Sequence, residues 1–306
     1  MKILPPELEN EFATPPSQIV AAKLIKSAQA AFGRPPEFLG NRFVYAVISQ
    51  RAHGLSIGIN FNPDKTCNFD CAYCEVDRNV DGRDAVVDLE VLVSELQTLL
   101  NLTQEKRLRE LPYFHNVPDE LLVLKSVALS GEGEPTLSPQ FAEILREVIH
   151  VRSCGKFPFF KLVLLTNGSG LDLPEVEQAL QLLTSRDEIW IKLEAGTQEY
   201  MNKVNRATVS LEKVLGNILQ VGRIRPIIIQ SMFPLLNGQE PGADEIERYV
   251  ARLLDLKKKG AQVSLVQIYS AHRPSHRSEC GHLPLKSLSR IAQRVRQLTG
   301  IPAEVF

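Results

Sequence analysis

The stretch from Ser126 to Thr166, SVALSGEGEPTLSPQFAEILREVIHVRSCGKFPFFKLVLLT, reads as one strand–helix–strand unit. Ser126 to Ser130 (SVALS) and Phe160 to Thr166 (FKLVLLT) are short apolar runs bounded by turn residues, as buried strands are. Between them Ser138-Pro139 supplies an N-cap and a first-turn proline, and Phe141, Ile144, Leu145 and Val148 recur at the spacing of one helical face. Strands that show little polar alternation and are joined by a helix imply a parallel pair with a right-handed crossover.

The same pattern extends in both directions. Leu55 to Phe61 (LSIGINF), Ile189 to Glu194 (IWIKLE), Pro226 to Met232 (PIIIQSM) and Gln262 to Tyr269 (QVSLVQIY) bring the core strands to six. Asp172 is read as the cap of a helix carrying Leu173, Val176, Leu180 and Leu183. Ser210 caps another, with Leu211, Val214, Leu215, Ile218 and Val221 as its stripe, and a third runs from Ala243 to Lys259 and stops at Gly260. The expected fold is α/β, a partial (β/α)6 TIM-like barrel of parallel strands with an N-terminal extension and a C-terminal helix. A doubly wound sheet stays open, because periodicity does not say whether a sheet curls. In either fold the functional residues belong at the C-terminal ends of the strands.

The extension is expected over residues 1–50, with a helix from Ser17 to Phe32 and a strand from Phe43 to Ser49. The core takes residues 51–306, with a cysteine loop at 61–78, a long helix from Val87 to Arg109 and a C-terminal loop and helix at 270–306. That loop, Ser270 to Leu283 (SAHRPSHRSECGHL), is basic and histidine-rich, and the last helix runs from Leu285 to Leu298. The 306 residues suffice for a large core, with 44% hydrophobic and 23% charged residues as in ordinary globular chains. A net charge of −1 excludes a chain-wide basic field for nucleic acid and leaves only a local patch. The opening MKILPPELENEF is acidic and proline-bearing where a secretory signal is apolar, and no run approaches a membrane span, so a cytoplasmic protein is expected.

Of five cysteines, Cys67, Cys71 and Cys74 fall within one short loop after the first core strand, while Cys154 and Cys280 stand alone and read as packing or surface thiols. Clustered thiols outside a disulfide framework suggest metal. A structural zinc ion wants four protein ligands, so a zinc reading needs His53, His115 or Cys280 as the fourth. Three thiolates suit a cuboidal iron–sulfur cluster that keeps one iron free for another ligand.

The sequence Cys67-Asn-Phe-Asp-Cys71-Ala-Tyr73-Cys74 resembles the cluster loop of the radical S-adenosylmethionine (SAM) superfamily. The stretches GINFNPDKTCNFDCAYCEVDR, LSGEGEPTLSP, LLTNGS and IWIKLEAGT are similar, more narrowly, to the tRNA-wyosine-synthase-like members. The resemblance implies one [4Fe–4S] cluster on Cys67, Cys71 and Cys74, with SAM on its free iron and Tyr73 beside the adenine. It implies that Gly133 and Glu134 hold the SAM amino group, that Asn167 lies near SAM, and that Lys192 and Glu194 meet its ribose, with Gln230 a further candidate contact. A mutual salt bridge between Lys192 and Glu194 is the competing reading of that pair. The implied reaction is reductive cleavage of SAM to a 5′-deoxyadenosyl radical, which abstracts hydrogen from an unidentified small molecule, peptide or RNA. An external one-electron donor such as flavodoxin or ferredoxin is required. The wyosine synthases hold a second cluster on extra N-terminal cysteines, and residues 1–66 contain none, so one cluster is expected. Two alternatives remain: a tRNA-modifying enzyme of this class, and a non-catalytic metal-binding protein. No residue declares itself as a catalytic acid or base.

Overall fold

The computed structural model describes residues 38–271 and 279–306. The expected helix from Ser17 to Phe32 and the basic stretch His272 to Arg277 lie outside the described residues. The chain enters through β1 (Val44–Ser49), which turns back antiparallel onto β2 (Gly54–Asn60). From β2 onward the strands run parallel: β3 (Leu124–Ser130), β4 (Lys161–Thr166), β5 (Glu188–Lys192) and β6 (Ile227–Met232). A short β7 (Pro234–Leu236) leaves the sheet, β8 (Val263–Tyr269) rejoins it, β9 (Cys280–His282) pairs with β7, and β10 (Ala303–Val305) completes the edge beside β8. The main sheet has the order β1-β2-β3-β4-β5-β6-β8-β10, so six consecutive parallel strands form the expected half-barrel, one strand flanks each side, and the ladder does not close.

The crossovers are α1 (Leu89–Gln104), α2 (Phe141–Ser153), α3 (Pro174–Leu180), α4 (Gln198–Val204), α5 (Leu211–Ile224) and α6 (Ala243–Lys258), with α7 (Leu285–Thr299) leading to β10. Ser210 caps α5 as expected, its hydroxyl accepting from Lys213 N. Two expected caps are corrected. Pro135–Leu137 forms a separate 3-10 turn and α2 begins only at Phe141, so Ser138-Pro139 is a link rather than a helix start. Asp172 does not cap α3, whose N-cap position is Leu173; its carboxylate instead takes Asn217 Nδ2 at 3.0 Å and pairs with Lys213, both on α5. The tertiary partner outcompetes the local cap. The long helix stops at Gln104, and Arg107–Glu110 forms a 3-10 turn.

Strand side chains alternate between two layers. The outward residues, such as Ile57, Val127, Leu164, Ile191 and Ile229, join the helices in the main core. Inside the half-barrel a smaller apolar cluster of Val163, Trp190 and Ile228 packs with Leu165 and Leu265. Two residues further along these strands the inward positions turn polar, with Lys192, Gln230 and Gln267 above Trp190, Ile228 and Leu265. An apolar floor under a polar mouth is thereby written along β5, β6 and β8, while β2 and β3 floor the half-barrel with Ser56 and Ser126, bonded to each other.

The outer wall contains one buried ion pair. Arg152 meets Asp187 through Nη1 at 2.7 Å and Nη2 at 3.2 Å, and Asp187 also accepts from Leu162 N, Thr184 N and Thr184 Oγ1. Burial works against the Asp187 charge, but Arg152 and the other donors prevail and hold its carboxyl below the usual range. A carboxyl lowered in the fold stabilises fully above the unfolded value near pH 4 and loses that contribution as pH falls through the lowered one. Asp187→Asn is expected to cost about 3–5 kcal/mol, since it strands a buried guanidinium. Urea unfolding at pH 7 and again at the acidic end measures it, and the gap between the variant and the parent should narrow in acid.

Candidate active site

The cysteine loop leaves β2 through Asn60 and Asn62. Asn60 Oδ1 accepts from Asn62 N at 3.1 Å and from Glu132 N at 2.9 Å, and Asn60 Nδ2 donates to Glu132 Oε2 at 3.0 Å. The loop is therefore tied at its root to the turn after β3. Gly133 completes that contact, because a Cβ there would stand 1.8 Å from Thr66 O. Only glycine admits so close a backbone approach, and Glu134 N donates to the same Thr66 O at 3.0 Å. Glu132, which interrupts the glycine pair in sequence, is the residue that Asn60 holds.

Farther along, Asp70 N donates to Asn205 O at 3.0 Å and Ala72 N to Val204 O at 2.7 Å, docking the loop on the end of α4. Asn68 binds Asn167 and Ser169 in the turn after β4. The loop is thus fastened to three neighbouring turns, and its sulfurs are presented by a rigid frame. Each sulfur faces one side-chain N–H donor: Asn167 Nδ2 lies 4.0 Å from Cys67 Sγ, Asn205 Nδ2 3.6 Å from Cys71 Sγ, and Arg78 Nη2 3.8 Å from Cys74 Sγ. Burial pushes the Cys71 thiol up to about 12, with the Lys192 charge opposing, and burial likewise raises Cys67 against the charges of Arg78 and Lys192. A metal ion that binds such a sulfur takes the proton's place and releases it.

Glu134 is buried and wholly occupied. Its Oε1 accepts from Thr136 N, Thr136 Oγ1 and Thr166 Oγ1, and its Oε2 from Asn167 N at 2.7 Å. Burial raises its carboxyl, these donors opposing. The carboxylate clasps the turn after β3 to the turn after β4 at the cavity wall.

Lys192 and Glu194 do not close a salt bridge. β5 ends at Lys192, and Glu194 beyond it sits under the cysteine loop, its Oε2 accepting from the Tyr73 hydroxyl and from Asn205 Nδ2. Glu194 Oε1 is buried without a partner, beside a water-sized hollow shared with Lys192 and Asn205. Burial raises the Glu194 carboxyl against the Lys192 charge, and Lys192 itself, despite burial, is raised above its ordinary value chiefly by Glu194. Its Nζ lies 5.4 Å from the centre of the Tyr73 ring.

These pieces surround one cavity of about 960 Å3 at the C-terminal ends of the strands. Cys67, Cys71, Tyr73, Cys74, Gly133, Glu134, Asn167, Lys192 and Gln230 all line it, while Glu194 does not. Gln230 is held by its Nε2 donating to Gln267 Oε1 at 3.0 Å. Ser231 points the other way, bonded to Leu193 O and the Tyr249 hydroxyl. Across the mouth, Arg51 from the β1–β2 turn stacks on Tyr269 at 4.3 Å and His53 meets the ring of Phe306 at 5.9 Å. None of His53, His115 and Cys280 lines the cavity, and among the described residues no three of His, Cys, Asp and Glu gather as a single metal ion requires. The donor set itself is soft: three free thiols open on one space, each with an N–H group at its sulfur, which suits an iron–sulfur cluster. Asn205, Arg78 and Arg51 were not singled out in the sequence; Asn205 and Arg51 meet their partners across distant segments, while Arg78 lies only four residues beyond Cys74.

Three thiols at the mouth of an open parallel half-barrel define a class of proteins that mount a cluster over a sheet. Residues 61–250 match the Radical SAM superfamily, and the chain belongs to that superfamily of SAM-dependent enzymes. It is 26% identical over 239 residues to a UPF0026 protein of Helicobacter pylori, covering 76% of this chain and 67% of that one. A UPF0026 protein of Synechocystis is 30% identical over 178 residues, 57% of each chain. Among solved structures, Streptococcus suis SuiB bound to S-adenosylmethionine superposes with a TM-score of 0.58 at 11% identity, over 83% of this chain and 51% of that one. TYW1 with a lysine-pyruvate adduct gives 0.53 at 13% identity, over 94% and 90%. At such identities the likeness is one of fold, and this chain spans about half the length of SuiB. Among the described residues no helix is long and apolar enough to cross a membrane.

Proposed function

We propose that the chain is a single-cluster radical SAM enzyme, with Cys67, Cys71 and Cys74 holding three irons of a [4Fe–4S] cluster and SAM filling the adjoining cavity. The observation that carries this reading is the opening of three N–H-supported thiols onto the same space as Tyr73, Gly133, Glu134, Asn167, Lys192 and Gln230. The bound pair would supply a one-electron cleavage of the SAM carbon–sulfur bond, giving a 5′-deoxyadenosyl radical that takes hydrogen from substrate. The protein's own tasks are positional. Asn60, Glu134 and Asn68 fix the loop; Lys192 and Gln230 offer polar ends to the ribose side; Val163, Trp190 and Ile228 close the floor against water. Glu194 works from behind, holding Tyr73 and Asn205 rather than touching SAM. An external donor such as a flavodoxin or ferredoxin provides the electron.

Anaerobic reconstitution with iron and sulfide, followed by reduction with dithionite in the presence of SAM, should give a four-iron signature and 5′-deoxyadenosine. Uptake of zinc with no iron or sulfide, or a reduced protein that never forms 5′-deoxyadenosine, would falsify the proposal in favour of a non-catalytic metal protein. A tRNA substrate is the second reading, favoured by the near full-length overlap with TYW1 in fold. Absence of tRNA binding in a gel-shift assay at low salt, where phosphate contacts are strongest, rejects it.

A further inference from the structure

Arg78 stands at the far end of the cysteine loop, half-buried, and its charge is not accounted for by its place as the N–H donor at Cys74. Its Nη1 donates to Lys65 O at the loop's beginning, its Nη2 lies against Cys74 Sγ at 3.8 Å, and its Nε is buried with no hydrogen-bond partner. Among the described residues no carboxylate comes within ion-pair distance of it. Elsewhere Arg152 pairs with Asp187 and Arg206 with Glu279, while the half-buried Arg225 takes backbone carbonyls and Arg51 stacks on Tyr269; Arg78 differs from all four in lying against a sulfur. A guanidinium drawn from water without an anion is costly, and an anion must complement it. The group its geometry offers is Cys74 Sγ, which carries negative charge once it ligates iron. Three thiolates around the iron–sulfur core leave the site negatively charged, and the incoming electron adds to that charge.

We infer that Arg78 is the counter-ion of the cluster site, a positioning residue that fixes Cys74 and raises the potential at which the site accepts its electron. The inference rests on the cluster reading of the three cysteines. Hydrogen bonds and charge at the sulfurs are among the terms that set such potentials. The neutral amides of Asn167 and Asn205 serve the other two sulfurs with a dipole, whereas Arg78 contributes a full charge beside Cys74. Lys192, the second cation at the thiols, shares its field with Glu194.

The test uses the full chain, reconstituted as wild type, Arg78→Lys and Arg78→Gln, with iron and sulfide counted and the reduced cluster followed by electron paramagnetic resonance across a mediated titration with dithionite. At the poise that half-reduces the wild type, the reduced-to-oxidised ratio of Arg78→Gln should fall about tenfold, a shift of about 59 mV for one electron, while Arg78→Lys stays within about threefold. If Arg78→Gln folds but holds no cluster while Arg78→Lys loads, the counter-ion role is supported. If Arg78→Gln titrates with the wild type, or the two variants are displaced alike, or both fold yet lose the cluster alike, the inference fails while the cluster reading stands. A wild type that takes up no iron and sulfide overturns both.

Discussion

Cys71→Ala should leave the reconstituted protein without its full complement of iron and sulfide, and 5′-deoxyadenosine formation should drop to that of a protein-free control. Cys71 is the most enclosed of the three sulfurs, and the wall around it is already committed: Ala72 N is bonded to Val204 O, Asp70 N to Asn205 O, and Tyr73 to Glu194. Nothing else in that wall can supply a soft ligand. Removing the thiol changes little in packing, so the variant should fold, and circular dichroism alongside the iron assay separates loss of ligand from loss of structure. Asn205→Ala tests the next layer. It removes the donor to Cys71 Sγ and one of the two donors on Glu194 Oε2, and an outer partner of a metal ligand is commonly worth about 10–100-fold in affinity or activity. A graded result, complete loss for the cysteine and partial loss for the asparagine, is the expected pattern. Equal retention of activity in both variants would mean that chemistry happens elsewhere.

Gly133→Ala should be the most damaging conservative change near the site. The added methyl would meet Thr66 O at 1.8 Å and the Asn62 Cβ at 2.8 Å, and the backbone cannot retreat while Glu134 N stays bonded to that same oxygen. Overpacking typically costs about 1–3 kcal/mol, and here the atoms forced apart belong to the root of the cysteine loop. Both lower stability and impaired cluster retention are expected, read by urea midpoint and by iron content after gel filtration. Gly216→Ala provides the control, since a Cβ there meets nothing within 4 Å on α5 and should add about 0.5–1 kcal/mol of stability. If the two alanines behaved alike, the close approach at Gly133 would carry no weight.

The half-barrel was legible because its signal is long and repetitive. Each of the six parallel strands is a run of five to seven residues, most of them buried in every strand but β3, and Ser210 announces α5 by local chemistry alone. β10 escaped because Ala303–Val305 is three residues with one exposed glutamate in the middle, too short for a period to show. The pair β7 and β9 and the seven-residue α4 escaped for the same reason. Asp172 misled because a good cap residue is also a good partner for lysine and asparagine, and the distant partners on α5 won. At the site, the cysteines declared themselves by spacing. The resemblance implied Glu194 at the ribose; the strand ends two residues earlier, and the fold turns its carboxylate under the loop onto Tyr73 and Asn205. Asn205 meets Cys71 across 134 positions of sequence, a meeting that a single chain of letters does not encode.

The half-barrel's open flank has a consequence for how a reactant reaches the centre. The β1–β2 turn meets the ends of β8 and β10 through the stacking of Arg51 on Tyr269 and the tilted contact of His53 with Phe306, and among the described residues no ladder hydrogen bonds join those two margins. Contacts of these kinds are worth about 0.5–1 and 0.5–1.5 kcal/mol, so parting them costs about 1–2.5 kcal/mol. That corresponds to an open fraction of roughly one to fifteen per cent at room temperature, renewed as fast as side chains and loops rearrange. The seam can therefore part at small cost without disturbing the frame that carries the sulfurs, which is tied to the turns after β3 and β4 and to α4.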